Sequence, residues 1–85
     1  DAAGWGECVP YARYGETPET VRAAIATLPE AITRHALQSA LPAGAARNAV
    51  DCALWDLEAK TAGRRVWEIA GLSPPRALAT AFTLS

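Results

Sequence analysis

Along residues 45–60 the apolar positions recur at three- and four-residue steps: Ala46, Ala49, Val50, Ala53, Leu54 and Leu57. That spacing puts them on one face of an α-helix. Most of the face is Ala or Val, so another element can approach closely where a stripe of Leu would hold it away. Two oppositely charged pairs, Arg47 with Asp51 and Asp56 with Lys60, stand four residues apart and are placed to meet on the outer face. Gly63 follows the last periodic turn, where a left-handed cap is expected. This is the longest stretch with a single period, and the rest of the chain is read around it.

A second helix is predicted from Thr17. Thr17 can cap, Pro18 suits the first helical position, and Glu19 sits at the positive end. Val21, Ala24, Ile25 and Leu28 form its apolar stripe. Pro29 interrupts and can open a further helix with Glu30 just inside, carrying Ile32 and Leu37. Leu41-Pro42-Ala43-Gly44 breaks the pattern and delivers the chain to the central helix. Val66 to Ala70 reads as one or two helical turns stopped by Gly71, and Pro74-Pro75 then forbid helix.

The remaining patterns point to strands. Trp5 to Val9, with Gly4 and Gly6 flanking the Trp, fits the end of a hairpin strand that Pro10 terminates. In residues 77–85, Leu78, Thr80, Phe82 and Leu84 share one side and Ala79, Ala81, Thr83 and Ser85 the other, since successive side chains of a strand point oppositely. A large apolar side opposite a small, partly polar one suits a (β/α)8 barrel strand, with Thr83 and Ser85 toward the mouth. The same alternation suits a half-exposed edge strand.

Composition narrows the function classes. The 85 residues carry a net charge of −1, with seven scattered Arg and a single Lys, so there is no basic stripe for nucleic acid. No apolar run reaches membrane-span length and no signal peptide is visible. Cys8 and Cys52 lie far apart without a CxxC pairing, and two reduced, buried thiols in a cytoplasmic protein are expected. There is no Met, and both ends break into strand-like runs, so the chain reads as a segment of a larger protein whose isolated form is marginal.

Little here can do chemistry alone. There is no Ser-centred elbow, and the lone His35 lies in a polar helical stretch and reads as a surface residue. Asp51 and Glu58 share a helix face but stand roughly 10 Å apart along the axis, too far to hold one ion together. No glycine-rich phosphate loop follows a strand. Neither catalytic residues nor a metal site are therefore expected within this chain. The loop Tyr11-Ala12-Arg13-Tyr14-Gly15-Glu16 concentrates two Tyr and an Arg. It reads either as a solvated turn with one aromatic against a helix, or as a substrate-facing loop with its Arg for a carboxylate and a Tyr as an apolar wall.

The stretch "ARNAVDCALWDLEAKTAGRRVWEIAG", Ala46 to Gly71, resembles the signature helix of the mandelate racemase / muconate lactonizing enzyme branch of the enolase superfamily. "LPAGAARNAVDCALWDLEAK", with "GECVPYARYGE" at Gly6 to Glu16, resembles the dipeptide epimerases of that branch more specifically, the L-Ala-D/L-Glu epimerases. Arg65, where a small residue or Pro is usual, and Ala70, where a larger apolar residue is usual, depart from the pattern.

The resemblance implies an α+β capping domain, mostly helical, over residues 1–76. It also implies the first strand of an otherwise absent (β/α)8 barrel over residues 77–85. It implies a parent isomerase that inverts the α-carbon of L-Ala-D/L-Glu-type dipeptides, in peptidoglycan recycling, by proton transfer between two lysines through an enolate held on Mg²⁺. Lys60, paired with Asp56 at the exposed end of the helix, reads as structural, so the lysines and the Mg²⁺ ligands are expected beyond Ser85, and this segment alone is expected to be inactive. The loop around Arg13 and Tyr14 corresponds to the one that closes over the family's active site. "TAFTLS" places Thr83 where the family contacts the dipeptide. The expected partners are a small dipeptide and the rest of the barrel, with room for a homo-oligomer and none for nucleic acid or membrane. A muconate cycloisomerase or o-succinylbenzoate synthase relative, or a non-enzymatic helical interaction module, would share these features.

Overall fold

The computed structural model describes residues 2–81. Four α-helices follow one another: α1 (Pro18–Ala26), α2 (Arg34–Ala40), α3 (Ala45–Ala62) and α4 (Val66–Ile69), with a single 3-10 turn at Ala12–Tyr14 before them. The mostly helical capping domain expected from the sequence is what forms. The organisation is that of a hub. α1, α2 and α4 each pack on α3, and none of the three packs on another.

Each helix end follows from its residues. The Thr17 hydroxyl accepts from the Thr20 N–H at 3.1 Å, while the Thr20 hydroxyl accepts from the Thr17 N–H at 2.9 Å, so two orphan donors are satisfied reciprocally around Pro18. Gly63 closes α3 at φ 65°, the left-handed conformation that costs a glycine least, and the Arg64 N–H then reaches the Ala59 carbonyl. Glu68 accepts from the Arg65 N–H and steadies the start of α4.

Two sequence expectations are corrected here. α2 begins at Arg34, not at Pro29; residues 30–31 form a turn instead. A helix opening at Pro29 would have Leu28 as its cap, which has no acceptor, whereas the Thr33 hydroxyl accepts from the Ala36 N–H at 3.1 Å. Strands expected at Trp5–Val9 and through residues 77–81 are absent among the described residues. Alternation is a local property, but a ladder needs a partner, and no described segment pairs with either stretch. The rest of the expected 77–85 strand lies outside the described residues.

What Gly4 and Gly6 do instead explains the small face of α3. The segment from Ala3 to Gly6 runs along that face in the opposite direction to the helix. A Cβ on Gly4 would sit 2.7 Å from Leu57 Cβ and overlap the Ala53 carbonyl; one on Gly6 would sit 2.7 Å from the Ala53 nitrogen and overlap the Ala49 carbonyl. Backbone is thus pressed on backbone. Charges fix the crossing. Asp56 Oδ2 accepts from the Trp5 N–H at 2.9 Å and pairs with Lys60 Nζ at 2.7 Å, and Nζ also donates to the Ala3 carbonyl at 3.0 Å. The Lys60 ammonium and the Trp5 N–H together hold the Asp56 carboxyl below its ordinary value. The Asp56–Lys60 pair is therefore formed as expected and clamps the N-terminal segment. The Arg47–Asp51 pair is not formed among the described residues; Arg47 donates weakly to the Leu41 carbonyl, at 3.5 Å.

Burial is thin. Leu37 is fully buried, with Leu41, Ala49 and Ala59 nearly so. The chain exposes 6951 Å², whereas a compact monomer of its mass exposes about 4,800 Å². Between α2 and α3 a polar tie adds to the contact around Leu37. Arg34 grips the Glu58 carboxylate with Nε at 2.9 Å and Nη2 at 3.2 Å, and its guanidinium lies 3.6 Å from the centre of the Trp55 ring.

Candidate functional site

The loop singled out in the sequence forms one wall of a cleft. Tyr11, Tyr14 and Glu16 face Ala45 and Asn48 at the start of α3, with Cys8 and Val9 behind, around a volume of about 530 Å³. The loop is folded by its own backbone. Tyr14 and Glu16 N–H groups both reach the Tyr11 carbonyl, at 2.9 and 3.2 Å, and Gly15 at φ 74° closes the turn onto Ala12. The two tyrosine rings meet edge to face, centroids 5.3 Å apart. Tyr11 is 51% exposed and Tyr14 75% exposed, so neither is tucked against a helix.

Glu16 is the residue the sequence reading missed. α3 begins after Gly44, which has no side chain to cap it. The Glu16 carboxylate takes that part: Oε2 accepts from the Ala45 N–H at 2.8 Å, and Oε1 accepts from the Tyr11 N–H at 3.0 Å. A negative group at the positive end of an 18-residue helix is favourably placed. The Ala45 N–H first, then the Tyr11 N–H, hold the Glu16 carboxyl below its ordinary value of 4.5. Gly44 leaves just enough room, since a Cβ there would come within 3.1 Å of Glu16 Oε2. The sequence carried only part of the signal: the N-cap position of the long helix is a glycine, which leaves its first N–H groups to water or to a side chain from elsewhere.

That pKa direction fixes a pH dependence. A depressed carboxyl stabilises the fold above its unfolded value, and the contribution is lost as pH falls through the lowered folded value. The loop is expected to stay docked above pH 4.5 and to loosen progressively below it. Tyrosine fluorescence anisotropy against pH reads this directly. A profile that stays flat as the pH falls until the whole protein unfolds would contradict the role of Glu16.

Of the residues singled out as substrate contacts, Tyr14 lines the cleft and Arg13 does not. Arg13 sits on the exposed turn beside it and makes no ion pair among the described residues. Thr83 lies outside the described residues. The thiols differ from expectation: Cys8 is half-buried and Cys52 exposed, both free. Cys52 faces outward because it falls off the apolar period of α3, and Cys8 sits at the cleft edge. His35 is exposed, as read from its setting. Among the described residues no three His, Cys, Asp or Glu side chains gather as a metal site would require, and Lys60 is engaged by Asp56 and the Ala3 carbonyl. No described helix is long and apolar enough to cross a membrane.

This arrangement recurs in known proteins. The chain is 47% identical to the L-Ala-D/L-Glu epimerase of Escherichia coli (strain K12), over 95% of this chain and 26% of that protein. It is 51% identical to an N-acetyl-D-glutamate racemase of Pseudoalteromonas sp, over 78% of this chain and 23% of that one. Among solved structures it superposes on an L-Ala-D/L-Glu epimerase with a TM-score of 0.78 at 49% identity, covering 85% of this chain and 24% of the other. It also superposes, with a TM-score of 0.75 at 52% identity and 82% and 23% coverage, on an enolase family member from Agrobacterium tumefaciens with homology to dipeptide epimerases. That structure holds sodium and L-Ala-L-Glu and has an ordered loop. The chain thus spans about a quarter of the length of its relatives. The N-terminal domain of mandelate racemase / muconate lactonizing enzyme proteins matches residues 2–71, which takes in all four helices and the loop that walls the cleft, and the chain belongs to that family as its N-terminal domain.

Proposed function

We propose that this domain caps the active site of an enzyme that inverts the α-carbon of a glutamate whose amino group is acylated, with L-Ala-D/L-Glu-type dipeptides as the first substrates. The observation that carries the reading is shared chemistry. L-Ala-D/L-Glu and N-acetyl-D-glutamate, the compounds in the two relatives' names, are both N-acyl glutamates with two free carboxylates. The loop offers matching features: Arg13 on the exposed turn suits a carboxylate, and Tyr14 supplies an apolar wall for the acyl group. In this reading Thr83 adds a further polar contact to the substrate.

Inversion at an α-carbon requires a base on one face, an acid on the other, and a cation or hydrogen-bond donors at the developing enolate oxygen. Magnesium would serve that last purpose, but the described residues do not fit a magnesium site, because no three acidic or histidine ligands converge. Nor do they supply the base and acid, the one lysine being held in the clamp at the far end of α3. The domain's own contribution is binding and enclosure. Its wall of Tyr11, Tyr14 and Glu16 excludes water from one side of the substrate, with Arg13 on the exposed turn beside the cleft. Two free thiols agree with a reducing, cytoplasmic setting.

The test is solvent exchange in the full-length protein. In D₂O with Mg²⁺, L-Ala-L-Glu, L-Ala-D-Glu and N-acetyl-D-glutamate are followed by NMR for loss of the α-proton signal and appearance of the epimer. Deuterium at the glutamate α-carbon is expected, fastest with the dipeptides. Faster exchange of N-acetyl-D-glutamate would favour the racemase reading, for which the 51% identity already speaks. No exchange with any of the three would overturn the substrate class.

A further inference from the structure

We propose that Glu16 is a positioning residue of this site: its carboxylate rivets the Tyr11–Tyr14 turn to the first turn of α3 and so sets how tightly the cleft holds substrate. The inference rests on the reading of the loop as substrate-facing. It starts from what fails to hold the turn. No residue of Ala12–Tyr14 is buried, and both rings are more than half exposed. Apolar packing therefore does not fix where the turn lies. Its internal hydrogen bonds, to the Tyr11 and Ala12 carbonyls, fix its shape but not its position, since they join the turn to itself.

The Glu16 carboxylate does both. Oε1 on the Tyr11 N–H closes the turn at its two ends, and Oε2 on the Ala45 N–H fastens the closed turn to the helix. Tyr14 and Asn48, from turn and helix, line the cleft that this bond spans. A small sideways shift of the turn would carry Tyr14 and the neighbouring Arg13 with it. Misplacement of a binding group by about 1 Å is costly in such sites. Glu16 itself need not touch the substrate, because both its oxygens are occupied by backbone N–H groups.

The test compares Glu16→Ala, Glu16→Gln and Glu58→Gln in the full-length protein, with whichever N-acyl glutamate the wild type turns over. Glu16→Ala is expected to raise KM by about tenfold with kcat within about twofold, because binding geometry and not the proton-transfer machinery is disturbed. Glu16→Gln should fall between, since its amide oxygen can accept one of the two N–H groups and its amide nitrogen cannot accept the other. Glu58→Gln weakens the Arg34 tie on the α2 side of α3 and should lower the melting temperature without moving KM. An unchanged KM in Glu16→Ala overturns the proposal. So does an equal rise in KM in Glu58→Gln, which would reduce the effect to general loosening. Absence of turnover in the wild type is a separate result, seen before any variant is made; it defeats the functional reading and the proposal with it.

Discussion

Replacing Leu37 by Ala is expected to lower the unfolding free energy by about 2–5 kcal/mol, the range for deleting a buried leucine side chain. Among the described residues Leu37 is the one side chain with no exposure, and it lies on α2 between Thr33, which caps that helix, and Leu41, which ends it. Folded proteins are typically stable by only about 5–15 kcal/mol, so the loss is a large part of such a margin. Urea unfolding followed by tryptophan fluorescence would show the midpoint shift. Leu72→Ala, at a 64% exposed position, serves as the comparison and should change stability by less than about 0.5 kcal/mol. Equal effects from the two variants would mean that burial at Leu37 does not stabilise the fold.

Gly6→Ala is expected to have the second largest effect, a loss of about 1–3 kcal/mol from overpacking. The added methyl would overlap the Ala49 carbonyl and lie 2.7 Å from the Ala53 nitrogen. Both are helix backbone and cannot rotate away as a side chain tip could. The segment would have to lift, stretching the Trp5 N–H from Asp56 and the Ala3 carbonyl from Lys60. Hydrogen exchange is the sharper readout: the Trp5 amide should lose protection while amides in the middle of α3 keep theirs. Gly15→Ala makes a useful contrast, since open space surrounds that position and its cost is the positive φ alone. A Gly6→Ala protein with wild-type protection at Trp5 would show that the segment does not lie on the helix.

These two positions also show what a sequence discloses. α3 was legible because its information is local: an apolar period, a glycine at its end and a charged pair one turn apart. The Thr17–Pro18 start of α1 was legible for the same reason. The beginning of α2 was misread because Pro29 is a strong start signal only when its neighbour can cap, and Leu28 cannot. The small face of α3 announced a close neighbour without naming it, and the neighbour proved to be Gly4–Gly6 rather than a strand end. At the cleft, Tyr14 was within reach of inspection. Glu16 was not, because its decisive partner, Ala45, is 29 residues away. Arg34, with Glu58 24 residues on, was hidden in the same way.

The hub arrangement has a consequence for how the chain is born. The backbone groups of Ala3 and Trp5 find their partners in Lys60 and Asp56, 57 and 51 residues later. At roughly 5–20 residues per second, a ribosome leaves Trp5 waiting on the order of 3–10 seconds before Asp56 exists. α1 and α2 wait as well, since each rests on α3 and not on the other. During that interval the Ala3 carbonyl and the Trp5 N–H are without their α3 partners. Synthesis speed through the codons of α3 therefore sets how long the backbone of residues 3–6 goes without its partners, and slow codons there should cost yield in a way that no property of the folded domain would reveal.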